Sequence, residues 1–109
     1  MFVVDTTGSM QDEIDFLREE LKDVITRARQ GAGQLDVEVS VVFYRDRYDD
    51  YVFKPYAFTS DIDWIVQRIA EERAEGGGDY PEAVEQALTH AVSGQEWRRS
   101  ARTRLLFLV

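Results

Sequence analysis

The sequence predicts an α/β domain, a three-layer, doubly wound (Rossmann-like), mostly parallel sheet with one antiparallel edge strand. Residues 2–4 and 105–109 are unbroken apolar runs, as in strands buried on both faces of a parallel sheet. Between the predicted strands lie stretches whose apolar residues recur at helical spacing. The resulting order is β-α-β-β-α-α-β, in which helices separate parallel strands and cover both faces of the sheet.

The first half of the chain supplies three strands and one helix. An opening strand runs into a polar loop, and a helix over residues 10–28 follows and ends at the glycines near residue 31. Alternating valines predict a second strand over residues 37–44. Residues 51–58 form a third strand, and Pro55 places that strand at an edge, antiparallel to the second.

The second half supplies two helices and the last strand. Ser60 or Asp61 caps the second helix, which ends in the glycine run 76–78. Residues 79–82 open a third helix. Its predicted inward positions are Ala83, Val84, Ala87, Leu88, Ala91 and Val92. Trp97 is expected to anchor the connection to the final apolar run, which is of the kind found in strands buried on both faces of a parallel sheet.

Length and composition exclude several classes of protein. A chain of 109 residues with 44% hydrophobic residues is one domain, or part of one, with a real core. The net charge of −8 argues against a nucleic-acid partner, and the absence of cysteine excludes disulfides and zinc–thiolate sites. No membrane span or signal peptide is recognisable, so we expect no membrane partner and favour a cytoplasmic location.

The loop after the first strand carries the candidate site. Asp5, Thr7 and Ser9 alternate along it, so their side chains can lie on one side, and no lysine or arginine lies among them. A carboxylate and two hydroxyls are hard oxygen ligands, which suit Mg²⁺, Mn²⁺ or Ca²⁺. In doubly wound sheets, ligands bind beyond the carboxyl ends of the strands, and the loop ending at Asp79 can reach the same edge.

Simpler interpretations stand beside this one. Ser9 begins a pattern close to a capping box, and Asp79 forms one with Glu82, although capping and metal ligation are compatible at Asp79. Residues 45–50 are expected to form a charged, solvated turn, in which Asp46 could approach the site without binding the metal itself. His90 is expected to be a surface or hydrogen-bonded histidine, and the basic residues 98–104 a solvated connection.

Taken together, these segments resemble the von Willebrand factor type A domain. Residues 2–10 match the Asp-x-Thr/Ser-x-Ser signature of its metal-ion-dependent adhesion site. Residues 76–83 resemble its second metal loop in a branch that has an aspartate, here Asp79, where integrin-type domains have a threonine. Residues 43–46 and 97–98 also resemble that branch, so the resemblance covers essentially the whole chain.

The resemblance implies a ligand set and a type of partner. Thr7 and Ser9 are expected to bind the metal through their hydroxyls, Asp5 directly or through water, and Asp79 from the second loop. The implied cofactor is Mg²⁺, or else Mn²⁺ or Ca²⁺, and its open position takes a carboxylate from a partner protein. In the family, the strand that corresponds to residues 105–109 ends in a further aspartate. More strands and helices come after it. We therefore expect residues 1–109 to be a single but incomplete domain that lacks these parts.

Three functions compete. The leading hypothesis is a metal-dependent protein-binding module that recognises an acidic residue. The second is a Mg²⁺-dependent phosphoryl-transfer hydrolase, disfavoured because Thr7 occupies the place of that class's second acid. The third is a fragment without metal function that self-associates through the apolar sheet edge formed by residues 105–109.

Overall fold

The computed structural model describes residues 1–31, 36–45, 53–74 and 81–109, with the backbone alone for residues 9, 28, 29, 31, 53 and 81–83. The elements in these ranges are β1 (Phe2–Asp5), a short 3₁₀ turn (Gly8–Met10), α1 (Gln11–Gly31), β2 (Val41–Tyr44), β3 (Phe53–Pro55), α2 (Ile62–Glu71), α3 (Pro81–Thr89) with a π-helical turn (His90–Gly94), and β4 (Phe107–Leu108). The predicted order of elements is confirmed.

The four strands form one mixed sheet in the order β3-β2-β1-β4. β1 pairs in parallel with β2 and with β4, and β3 runs antiparallel to β2. The predicted antiparallel edge strand is therefore present. Pro55 lies in it, where its missing N–H removes no hydrogen bond from the interior of the sheet.

Helices cover both faces of the sheet, as predicted for a three-layer fold. One core packs α1 and α2 against one face, and its fully buried members are Val4, Ile14, Val41, Phe43, Ile65 and Ile69. The other core packs α3 and the π-helical turn against the opposite face, and its members are Met1, Val3, Val42, Tyr44, Ala87 and Ala91. Successive residues of β1 and β2 alternate between these two cores, as the pleat requires.

Three strands are shorter than predicted, namely β2, β3 and β4. The ladder with β1 begins where Phe2 faces Val41, so residues 37–40 have no parallel partner, and Val39 makes only an isolated antiparallel bridge to Thr59. β3 leaves its ladder after Pro55, although the Tyr56 N–H still donates to the Val41 carbonyl at 2.9 Å.

The helix ends also differ from the prediction. α1 continues to Gly31, a few residues past the predicted end at residue 28. Asp61 is the cap of α2, and its carboxylate accepts from the Trp64 N–H at 3.1 Å. α2 ends at Glu71, well before the glycine run 76–78, which lies outside the described residues.

One burial prediction is wrong. Val92 is 70% exposed, whereas Ala91 in the same π-helical turn is fully buried as predicted. Residues 105–108 are 37–57% exposed, and only Phe107 and Leu108 form a strand. β4 is an edge strand with no further strand beside it among the described residues, so its apolar side chains are not enclosed.

Candidate functional site

The candidate site starts at the carboxyl end of β1, where Asp5 is half-buried opposite Tyr44 of β2. Asp5 Oδ1 accepts two hydrogen bonds from Thr7, from the backbone N–H at 2.8 Å and from the hydroxyl at 2.6 Å. The sequence therefore predicted correctly that these two side chains lie together. No residue in the described parts of the chain donates a hydrogen bond to Asp5 Oδ2.

The 3₁₀ turn fixes the exit of this loop. Met10 N–H donates to the Thr7 carbonyl at 3.0 Å, so the chain turns into α1 directly after Thr7. Ser9 lies within this turn, but its side chain is not among the described parts of the chain. Asp79 lies outside the described residues. The predicted roles of Ser9 and Asp79 in metal binding, and of Asp46 beside the site, therefore stay predictions.

Thr6 attaches the loop to the end of β2. Its side chain is fully buried, and both its N–H and its hydroxyl donate to the Tyr44 carbonyl, at 2.9 Å and 3.0 Å. Thr6 thus fixes the position of the loop relative to β2, while its neighbours Asp5 and Thr7 remain partly accessible.

Arg45 is a site component that the sequence analysis missed, because it was assigned to a charged, solvated turn. It is only 6% exposed. Its Nε lies 3.2 Å from Thr6 Oγ1 and 3.3 Å from the Thr6 carbonyl, and its Nη2 pairs with Glu72 at 3.3 Å and donates to the Arg73 carbonyl. The available signal was position, since Arg45 follows the four buried residues of β2 without an intervening polar residue.

Glu72 completes this buried ion cluster. It follows α2 and is 7% exposed, and Lys54 of β3 binds its second oxygen at 3.1 Å. Two residues later, the Ala74 N–H donates to Gln11 Oε1 at 2.9 Å, at the start of α1. The segment 72–74 is therefore held against both the end of β2 and the start of α1.

Burial and charge shift one pKa at this edge of the sheet. The pKa of Tyr44 is raised to about 12, first because burial disfavours the phenolate and second because the Asp5 carboxylate lies nearby. Burial of Tyr44 and the neighbouring Asp5 carboxylate thus extend the pH range over which this hydroxyl stays neutral.

The described donors fit part of a site for a hard divalent cation. Asp5 offers a carboxylate oxygen. The Thr7 hydroxyl donates a hydrogen bond and still has lone pairs for a metal. Within the described ranges, no group of three or more His, Cys, Asp or Glu side chains could hold a metal by itself. The described residues thus contribute one carboxylate and one hydroxyl to this fit, from Asp5 and Thr7.

Other expectations concern positions away from this edge. His90 Nε2 lies 3.1 Å from Gln95 Oε1, so the prediction of a hydrogen-bonded histidine is confirmed. Trp97 does anchor the last connection, since its Nε1 donates to the Ala91 carbonyl at 2.6 Å. In the basic connection, Arg98 pairs with Asp36 and Glu38, whereas the rest is exposed. None of the helices in the described ranges could span a bilayer.

The chain is similar in sequence to known proteins. The model of a von Willebrand factor A domain family matches residues 1–100. The rat von Willebrand factor A domain-containing protein 7 is 39% identical over 93 residues, and its human counterpart is 37% identical over the same length. Each match covers 82% of this chain but 10% of the relative, so the chain spans about a tenth of the length of these curated relatives.

A solved structure has a similar fold. The crystal structure of an uncharacterized protein from Alicyclobacillus acidocaldarius superposes with a TM-score of 0.52 and 26% identity, over 85% of this chain and 42% of that one. Together with the Asp5–Thr7 loop at the end of β1, these matches identify the domain. The chain belongs to the von Willebrand factor A domain family, a family of protein-interaction modules.

Proposed function

We propose that this chain is a metal-ion-dependent protein-binding module. In this proposal Asp5, Thr7, Ser9 and Asp79 hold Mg²⁺, or else Mn²⁺ or Ca²⁺, and the open position of the metal accepts a carboxylate from a partner protein. The observation that carries the proposal is the double hydrogen bond from Thr7 to Asp5 Oδ1. It orients both side chains and leaves Oδ2 and the Thr7 lone pairs for a cation.

The charge of such a site explains its preference for an acidic partner. A divalent cation bound by few carboxylates and several neutral hydroxyls retains positive charge, so an added carboxylate lowers its energy. The start of α1, a helix of 21 residues, adds a favourable dipole for an anion at the same place. The interaction surface then lies at the carboxyl edge of the sheet.

The geometry favours binding over phosphoryl transfer. A hydrolase of this topology needs a second acid two residues after the first aspartate, and that position holds Thr7. The Thr7 hydroxyl donates a hydrogen bond to Asp5 and keeps its proton, so it is arranged as a neutral ligand. A charged pair of acids at this point would attract the metal more strongly but leave it less positive toward a partner carboxylate.

Calorimetry with MgCl₂ and MnCl₂ tests the metal site. We expect binding by this chain, or by a longer chain that includes the aspartate expected after the strand at residues 105–109. Asp5→Asn and Thr7→Val should each weaken it by at least about tenfold, because each removes a proposed ligand. Asp12→Asn is the matched control, since Asp12 is an exposed acid in the first turn of α1 and should leave the affinity unchanged.

The position of the ion can be located independently. Mn²⁺ bound at this site should broaden the amide resonances of Thr6 and Thr7 before those of α3. Absence of Mg²⁺ and Mn²⁺ binding in both the chain and the longer protein would contradict the proposal, as would equal affinities of Asp5→Asn and Asp12→Asn.

A further inference from the structure

Arg45 connects two segments that are far apart in sequence and adjacent at the candidate site. On one side its Nε contacts the carbonyl and hydroxyl of Thr6, the residue between Asp5 and Thr7. On the other side its Nη2 contacts Glu72 and the Arg73 carbonyl. A planar guanidinium with several donors can make such contacts at once, whereas an ammonium group has no such fixed fork.

Charge balance alone does not explain this arrangement. Lys54 already supplies Glu72 with a positive partner at 3.1 Å. Three of the acceptors around Arg45 are neutral, namely the two oxygens of Thr6 and the carbonyl of Arg73. A buried cation that is directed at neutral backbone and hydroxyl oxygens fixes the positions of those groups.

Gln11 makes a second connection between the same two regions. Its Oε1 accepts from the Ala74 N–H at 2.9 Å, and its Nε2 donates to Asp15 at 3.0 Å, which orients the amide. Gln11 begins α1, directly after the 3₁₀ turn that follows Thr7. Segment 72–74 is thus attached to the residues on both sides of the first loop, five residues before Asp79.

We propose that Arg45 and Gln11 are positioning residues that hold segment 72–74 in register with the Asp5–Thr7 loop. This proposal rests on the proposed metal-binding function. Neither side chain is a proposed ligand of the metal. Through Thr6 and the start of α1 they fix the loop that carries Asp5 and Thr7, and a misplaced loop lowers metal affinity as the loss of an outer hydrogen-bond partner does.

The test combines metal affinity with hydrogen exchange in the protein that binds Mg²⁺. Arg45→Met and Gln11→Met should each weaken Mg²⁺ binding by about 10- to 100-fold. The double variant Arg45→Met/Glu72→Met removes both partners of the buried pair. It replaces Arg45→Met in these measurements if the single variant does not fold. Ile69→Val in the core of α2 controls for general destabilisation, and Arg27→Met, on an exposed face of α1, controls for loss of an arginine. Both controls should keep the wild-type affinity.

Amide exchange without metal separates this proposal from the metal-binding function. In Arg45→Met the amides of Thr7 and Ala74 should exchange faster, although their own acceptors, Asp5 and Gln11, are intact. Unchanged exchange at both amides overturns the proposal, as does an Mg²⁺ affinity of Arg45→Met and Gln11→Met equal to that of Ile69→Val. If the wild type binds no Mg²⁺ but exchange is faster, the proposed function fails while the coupling of the two segments stands.

Discussion

Tyr44 shows how burial and one neighbouring residue, Asp5, change the chemistry of a side chain at the end of a strand. Parallel pairing of β1 and β2 places them side by side at the ends of their strands. Tyr44 is 8% exposed, so its phenolate would be formed in a poorly solvated place and beside a carboxylate. Both effects raise its pKa, and the hydroxyl stays protonated under all ordinary conditions.

This pKa predicts a loss of stability at high pH. The pKa of Tyr44 is about 12 in the folded protein and 10.0 for an ordinary tyrosine. Between these values the unfolded chain releases the proton and the folded one retains it, so the free energy of unfolding falls as pH rises through this window. A shift of this size corresponds to about 2–3 kcal/mol at most.

Urea denaturation across that pH window measures the effect. Tyr44→Phe should lose less stability than the wild type between pH 10 and pH 12, because it has no phenol to ionise at this position. Tyr56→Phe is the matched control at a half-buried tyrosine in the other core and should lose as much as the wild type. An equal loss in Tyr44→Phe and the wild type would show that burial does not hold Tyr44 neutral.

At the scale of one element, the π-helical turn His90–Gly94 decides how the C-terminal segment of the chain returns to the sheet. His90 packs over Gly94 and bonds to Gln95, whose Nε2 donates to Ser40 Oγ at 2.7 Å and to the Tyr56 carbonyl at 2.8 Å. A π turn is rare and persists where the surrounding contacts fix it. Here these side-chain bonds to the residue before β2 and the residue after β3 do so.

Gly94 is expected to tolerate no side chain in this turn. A Cβ there would lie 2.5 Å from His90 Nδ1 and 2.9 Å from Cε1, so the imidazole would have to move and lose its bond to Gln95. Gly94→Ala should therefore lower the free energy of unfolding by about 1–3 kcal/mol, measured by urea denaturation. Adding His90→Ala removes the clash, so Gly94→Ala should cost much less in that background. The same cost in both backgrounds would argue against the imidazole as the cause.

For the whole molecule, the distribution of apolar surface is uneven. Two cores cover the centre of the sheet, but β4 is exposed at one edge, with Leu106 37%, Phe107 47% and Leu108 55% accessible. Phe107 stacks on Phe2 at 5.2 Å, which attaches β4 to β1 on its inner side. Unpaired apolar edge strands are sites where other strands add.

We therefore expect copies of this chain to associate through β4. Sedimentation velocity over a concentration series should show a dimer or larger species for the wild type, and Leu108→Lys should shift it to monomer by placing a charge on that edge. Val24→Lys is the control, since Val24 is equally exposed (56%) but lies on α1. A wild type that stays monomeric at micromolar concentration, or two variants that behave alike, would contradict association through this strand.

Much of the fold could be predicted because its signals are local. The alternation in residues 37–44, the helical stripes and Pro55 each report on a few neighbouring residues, and they gave the right elements in the right order. Val92 was placed wrongly because burial depends on what lies opposite a residue, and helical spacing carries no local signal for the π turn in which Val92 lies.

The amino-acid sequence by itself determined the three layers, which follow from the spacing of apolar residues along the strands and helices, and its motifs resembled the family to which the chain belongs. The alternation of Asp5 and Thr7 along the loop predicted that their side chains lie on one side of it. Only the tertiary structure decided the role of Arg45, since its partners Thr6 and Glu72 lie 39 and 27 residues away. Whether a charged residue after a strand is solvated or buried depends on which distant oxygens the fold brings to it. The number of residues between two positions in the chain does not determine how close they lie in the fold.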